Sequence, residues 1–274
     1  MLRLEVRPEP SRGWSFGSPV LALALTVLVG TLLFVALGKD PVRGLQMFFV
    51  EPVKSLYVWG EIAVKATPLL LIGLGLAVCY RSNVWNIGAE GQFVLGAITA
   101  SGVALVADAG TIRWFVVPVL LAGTAGGAFW GAITAWLRDR FNASEILVSL
   151  MLVYVAEMVL GYLVYGPWKD PAGYNFPQTR TFEVATLVPK LMVGSRAHAG
   201  LLIAFLGVLL MSLYLFRTRA GFAQQVGGLA PMAARYAGFS SRRALWVAML
   251  TSGALAGLAG ALLVHAAYGI GMAQ

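Results

Sequence analysis

Residues 83–92 read NVWNIGAEGQ, a polar interruption between two apolar stretches, each long enough to approach the thickness of a bilayer. Gly88 and Gly91 weaken a helix, while Asn83, Asn86, Glu90 and Gln92 bring polar groups that hydrocarbon penalises unless they face protein or a cavity. The run therefore reads either as part of a solute path or as the start of a helix.

The surrounding composition gives the run this meaning. Hydrophobic residues make up 59% of the 274 and charged ones 12%, against roughly 25% charged in a soluble domain. The expected protein is an all-α, polytopic transmembrane helix bundle, one transmembrane domain over residues 1–274. A formal charge of +8 would suggest nucleic acid in a soluble chain, but here it reports arginine-rich loops between spans, and no nucleic-acid partner is expected. The lone Cys79 excludes an intrachain disulfide and a cysteine metal site, and neither His198 nor His265 has neighbours at metal-ligand spacing. No metal, cofactor or catalytic residue is expected.

Apolar segments of bilayer length lie near 19–37, 57–79, 87–107, 114–137, 145–165, 199–216 and 244–267, about seven spans. The first follows Arg3, Arg7 and Arg12 and reads as an uncleaved helix. Arginines at 81, 138, 140, 217, 219, 235, 242 and 243 fall on the same side as this terminus, which is placed in the cytoplasm. The opposite side holds the longest irregular loop, residues 166–198, with Pro167, Pro171, Pro177 and Pro189.

Within the spans, Gly123, Gly127 and Gly131, and later Gly253 and Gly257 beside Ser252, Ala256 and Gly260, form rows that let helix backbones approach. These rows serve either static packing or a sliding surface. Tyr154 and Glu157 lie near the middle of the fifth span, where a carboxylate should face the bundle or water rather than lipid. Glu61 and Lys65, one turn apart, are expected to pair, and Trp59, Trp114 and Trp168 to anchor at the interfaces. In the inner loop, 216–243, Gly227 and Gly228 read as a break, and Pro231 as the opening of a short helix ended by Gly238. This helix suits either docking into another protein or lying on lipid headgroups.

NVWNIGAEGQ is similar to the NIGAEGQ signature of permease subunits of bacterial ABC importers, the group of branched-chain amino acid, simple sugar and nucleoside systems. FNASEILVSLMLVYVAE (141–157), YGPWKDP (165–171) and AARYAGFSSRRALWVAMLTSGALAGLAGAL (233–262) resemble the same family in the same order. NIGAEGQ together with GPWKDP resembles the sugar and nucleoside branch more closely. QQVGGLAPMAARYAGF departs from the family's coupling segment before the short helix. The family fold has about ten helices, so this reading expects a chain truncated at its carboxyl end.

The resemblance implies a permease subunit in the bacterial inner membrane, forming the path for a small polar solute, a nucleoside or simple sugar. Its partners would be a separate ATPase subunit, a second permease copy in a homo- or heterodimer, an extracytoplasmic solute-binding protein and membrane lipids. The chain lacks a GxxxxGK[ST] phosphate loop, in agreement with that division of labour. Asn83, Asn86, Glu90, Gln92, Tyr154 and Glu157 are the candidates for the path. Pro231, Ala233, Ala234, Arg235, Tyr236 and Gly238 are the candidates for ATPase coupling. A branched-chain amino acid permease, or an ion-coupled secondary transporter using Glu90 and Glu157, are the alternatives.

Overall fold

A computed structural model of the chain describes residues 11–191 and 195–266. It divides into two compact units, residues 1–59 and 60–274. In the first, α1 (Arg12–Ala36) continues through Pro19, and a turn leads to α2 (Pro41–Phe49). Asp40 caps α2, its carboxylate accepting from the Val42 N–H at 2.9 Å, while Pro41 starts the helix where no donor is needed. The Phe34 ring lies against Gly44, where a Cβ would come within 2.6 Å of it.

The second unit takes in α3 (Leu56–Arg81) from Gly60 onward. It continues with α4 (Ala89–Ala104), α5 (Val116–Phe141), α6 (Glu145–Tyr165), α7 (Gly200–Arg217), α8 (Arg219–Leu229), α9 (Pro231–Tyr236) and α10 (Ser241–Ala266). Among the described residues six helices are long and apolar enough to cross a membrane: α1, α3, α5, α6, α7 and α10. No strand occurs among these residues, only an isolated bridge between Lys190 and His198.

The seventh expected span, 87–107, is shorter than its hydropathy suggested. α4 has 16 residues, about 24 Å of helix at 1.5 Å per residue, below the length that crosses hydrocarbon alone. Ten of the 16 are buried, because α4 lies against α5, α6 and α10 instead of presenting its length to lipid.

Glycine sets that arrangement. A Cβ on Gly257 of α10 would lie 2.2 Å from the Gly123 carbonyl oxygen and 2.8 Å from the Gly127 Cα on α5. A Cβ on Gly96 of α4 would lie 2.2 Å from the Gly257 Cα, and one on Gly260 2.1 Å from the Phe93 carbonyl oxygen. Three backbones thus meet with no side chain between them, and dispersion replaces a hydrophobic drive that lipid does not supply. The glycine rows act in close packing.

Short turns close one end of the bundle. α5 ends at Asn142 in the left-handed region (φ 52°), and Ser144 caps α6. Arg138 pairs with Glu145 across the turn, while Asp139 accepts from Arg242 at 2.7 Å and from the Trp246 indole at 3.0 Å on α10. At the other end the described residues of the 166–198 loop fold into the bundle. Phe182 is buried and stacks on His265 with ring centroids 4.8 Å apart, and Thr186, Val188 and His198 are buried as well.

Three local expectations change. Glu61 pairs with Arg196 of that loop, not with Lys65 on its own helix, because the loop folds back beside Gly60. Trp168 is half-buried against Gly102 rather than standing free at an interface. Gly227 and Gly228 lie inside α8, not at a break, since Gly228 touches the backbone of residues 81–83.

Gly257→Ala should lower the stability of the detergent-solubilised protein by about 1–3 kcal/mol, because the new methyl meets the α5 backbone at both Gly123 and Gly127. Gly73→Ala, where a Cβ meets nothing within 4 Å, should stay within about 0.5 kcal/mol of the parent. Thermal unfolding followed by tryptophan fluorescence measures both, and equal shifts would contradict the three-helix junction.

Candidate translocation face and inner docking segment

Between α3 and α4 the chain leaves helical geometry at Asn83, whose φ is +53°, and runs extended to Gly88. Side chains alternate along this run: Ser82, Val84 and Asn86 are buried, and Asn83, Trp85 and Ile87 exposed. Asn86 uses all four of its hydrogen-bonding positions. Its amide donates to Gln92 Oε1 and to Ser252 Oγ of α10, each at 2.9 Å. Its carbonyl oxygen accepts from the Gly88 N–H at 3.1 Å and from Gln92 Nε2 at 3.2 Å. The Ile87 N–H is taken by Ser149 Oγ of α6 at 3.2 Å. Asn86 and Gln92 are therefore spent on holding an irregular backbone inside the bundle.

The other four path candidates, Asn83, Glu90, Tyr154 and Glu157, are exposed. Gly88 and Gly91 press against Ser149 and Val153, so that a Cβ on Gly91 would lie 2.9 Å from the Val153 Cα. α4 and α6 therefore run side by side in the same direction. On the flank of this pair next to α5, Thr99 Oγ1 donates to the Ala122 carbonyl oxygen at 2.9 Å, and the Trp130 indole donates to the Leu152 carbonyl oxygen at 3.1 Å. At about 100° per residue, Glu90 projects from α4 away from α5, and Tyr154 and Glu157 project from α6 toward the same side. Along the axis the two carboxylates are separated by about five residue rises, roughly 7 Å. Three of the six candidates thus share one open face, and Asn83 lies before the start of α4. Ser149 and Ser252 complete the polar network; Ser252 carried no signal in the sequence beyond a place in a small-residue row, and Ser149 none of its own.

α9 forms as expected, opened by Pro231 and followed by Gly238 at φ +81°. Ala234 is buried and anchors it, whereas Ala233, Arg235 and Tyr236 are exposed, Tyr236 at 98%. A cavity of about 570 Å³ opens beside it, lined by Pro231, Met232, Arg235, Gly238, Phe239 and Arg242 among others. On the outer loop, burial lowers the His198 pKa below the usual imidazole range, and the neutral ring accepts the Gly200 N–H at Nδ1, 3.1 Å away. This is a packing role. Among the described residues no group of three or more His, Cys, Asp or Glu side chains could hold a metal ion.

Residues 59–271 match a protein family described as the branched-chain amino acid transport system / permease component. The glucose ABC transporter permease protein TsgB13 of Haloferax volcanii is 35% identical over 94% of this chain and 71% of its own length. The guanosine ABC transporter permease protein NupP of Bacillus subtilis is 30% identical over 89% of this chain and 70% of its own. The nucleoside ABC transporter permease protein NupB of Lactococcus lactis subsp. cremoris is 29% identical over 93% and 71%. No solved structure gives a significant match. With its membrane-length helices and the full run of residues matched, the chain is a multi-pass membrane protein belonging to the branched-chain amino acid transport system / permease component family, a transporter component and not an enzyme.

Proposed function

We propose that this protein is the membrane subunit of an ATP-driven importer of a nucleoside or simple sugar, and that Glu90, Tyr154 and Glu157 lie on its solute path. Permeases of the family imply an ATPase subunit and a solute-binding protein as partners. The solute class follows the relatives, which carry glucose, guanosine and nucleoside permease names. The family description, in contrast, speaks of branched-chain amino acids.

The observation that carries the path is Glu157, an exposed carboxylate in the middle of an apolar 21-residue helix. A carboxylate facing lipid at that depth costs about 3 kcal/mol on insertion scales, so the face needs water or a second subunit. A second permease copy set across it would enclose a polar passage, with Tyr154 offering a ring and a hydroxyl to a sugar or base. Asn86 and Gln92 serve the fold around that passage. Family membership favours ATP over an ion gradient as the energy source.

α9 with Arg235 and Tyr236 is assigned as the segment that receives the ATPase on the cytoplasmic side, and the amino terminus is proposed to lie on that side too. Its exposed Met232 and Tyr236 beside a cavity suit a protein groove better than a headgroup layer, where lysine would be expected alongside the aromatic.

Uptake of radiolabelled guanosine and glucose into cells or proteoliposomes carrying the whole complex tests both parts. Glu157→Leu should leave the protein in the membrane and lower uptake at least about tenfold, a change of about 1.4 kcal/mol in the barrier. Undiminished uptake would return Glu157 to a peripheral position. Replacing both Arg235 and Tyr236 with Ala should reduce the ATPase recovered with the purified permease, while its own folding persists. Recovery at the parent level would remove α9 from the docking site.

A further inference from the structure

α8 is held on three sides by contacts that leave its backbone no freedom to shift alone. Near its start, a Cβ on Gly221 would lie 2.1 Å from the Tyr214 carbonyl oxygen at the end of α7. Near its end, a Cβ on Gly228 would lie 2.5 Å from the Arg81 carbonyl oxygen and 2.8 Å from the Asn83 nitrogen. Between these points sits Gln224, 4% exposed. Its amide nitrogen donates to Ser82 Oγ and to the Ala244 carbonyl oxygen, both at 2.7 Å. Gln225 adds a bond from its own amide to the Leu215 carbonyl oxygen at 2.7 Å, and accepts one from Arg81 at 3.0 Å.

One buried amide thus joins α8 to the exit of α3 and to the first turn of α10. Ser82 is itself fixed, donating to the Val78 carbonyl oxygen at 2.7 Å. Past Ser82 the chain turns at Asn83 and runs extended to Asn86, the hub that starts α4. On the other side, α8 meets α9 through Ala230, whose N–H bonds to the Val226 carbonyl oxygen while its own carbonyl accepts the Ala234 N–H, each at 2.9 Å. The exposed docking helix and the extended segment are therefore the two ends of one bonded strut.

We infer that Gln224 is a positioning residue for transport: it carries displacement of α9 through α8 to residues 82–88, and so to the start of α4. This rests on the assignment of α9 as the ATPase-docking segment. The two arms of the amide have different consequences. The bond to Ala244 keeps α8 on α10, whereas the bond to Ser82 is the one that moves the extended segment. Asn86 then passes the displacement to Gln92 and Ser252 without an intervening flexible residue.

The test uses the whole complex, purified with its ATPase and reconstituted in liposomes. Trp85, exposed on the extended segment, is replaced by Cys, and the rate of maleimide labelling is measured with and without ATP plus vanadate; Cys79 is buried. In this background the rate should change on nucleotide trapping. Gln224→Met keeps the volume and removes both donors, and should reduce that change about tenfold while ATPase recovery and vanadate-sensitive hydrolysis persist. Ser82→Ala cuts only the arm to α3, and should reduce it as well. A nucleotide-dependent change that survives both substitutions overturns the inference. So does its loss together with ATPase binding in Gln224→Met, which would make Gln224 a part of the docking surface. A Trp85→Cys protein that hydrolyses ATP without any change at position 85 removes the transmission but leaves the docking assignment standing. Absence of ATPase from the complex with no substitution in α8 or α9 removes the docking assignment, and the inference with it.

Discussion

Polar groups inside a bilayer must find their hydrogen bonds within the protein, and here Asn86 is the hub of that network, with Ser149 beside it taking the Ile87 N–H. Asn86 occupies two donors and two acceptor positions, and by doing so allows seven residues to enter the bundle without helical geometry. Without it the Gly88 N–H, the Gln92 amide and the Ser252 hydroxyl would each lose a partner in a region with no water to replace it. Loss of even one such bond costs about 1–3 kcal/mol. The short α4 exists because this hub lets it start deep in the protein, and its shortness places Gly88 and Gly91 against α6.

The glycine junction of α4, α5 and α10 answers the same constraint in another way. Polar satisfaction fixes where α4 begins, and the absence of Cβ atoms at Gly96, Gly123, Gly127 and Gly257 fixes how closely it lies. Backbone-to-backbone contacts at this range have no soft side chain to absorb displacement, so the three helices respond to force as one body. The peripheral helices are different. α6 meets this body along one face only and leaves its other face open, with Tyr154 and Glu157 upon it.

Much of this was readable in the residues. Glycines four apart in 123–131 and 253–257 announce close approach by spacing alone, and Pro231 with Gly238 brackets α9 by local backbone preference. Expectations failed where the answer lay far along the chain. Glu61 and Lys65 have the right spacing for a pair, but Arg196, 135 residues away, brings a guanidinium to Glu61 from a folded-back loop. Gly227 and Gly228 look like a helix break in isolation, but both lie within α8, and Gly228 is the concession that lets the helix lie on residues 81–83. The path candidates divided for the same reason. Asn86, Glu90 and Gln92 are alike as polar residues in an apolar run, and only the positions of Ser252 and α6 decide which are consumed inside and which remain outside.

That division bears on how such a subunit can change state. Asn86 and Gln92 cannot take turns as solute ligands, since releasing either one strands its partners in a dry interior. Glu90, Tyr154 and Glu157 carry no such obligation, and they stand at the margin of the glycine-locked body rather than within it. In the importer proposed above, alternating access would move the α4–α5–α10 body as a whole against its surroundings, and with it the α4 side of the face that carries Glu90. A bent or breathing α4 would have to break the four bonds of Asn86 or pull apart backbones in contact at Gly257, whereas a rotation of the whole body leaves both intact.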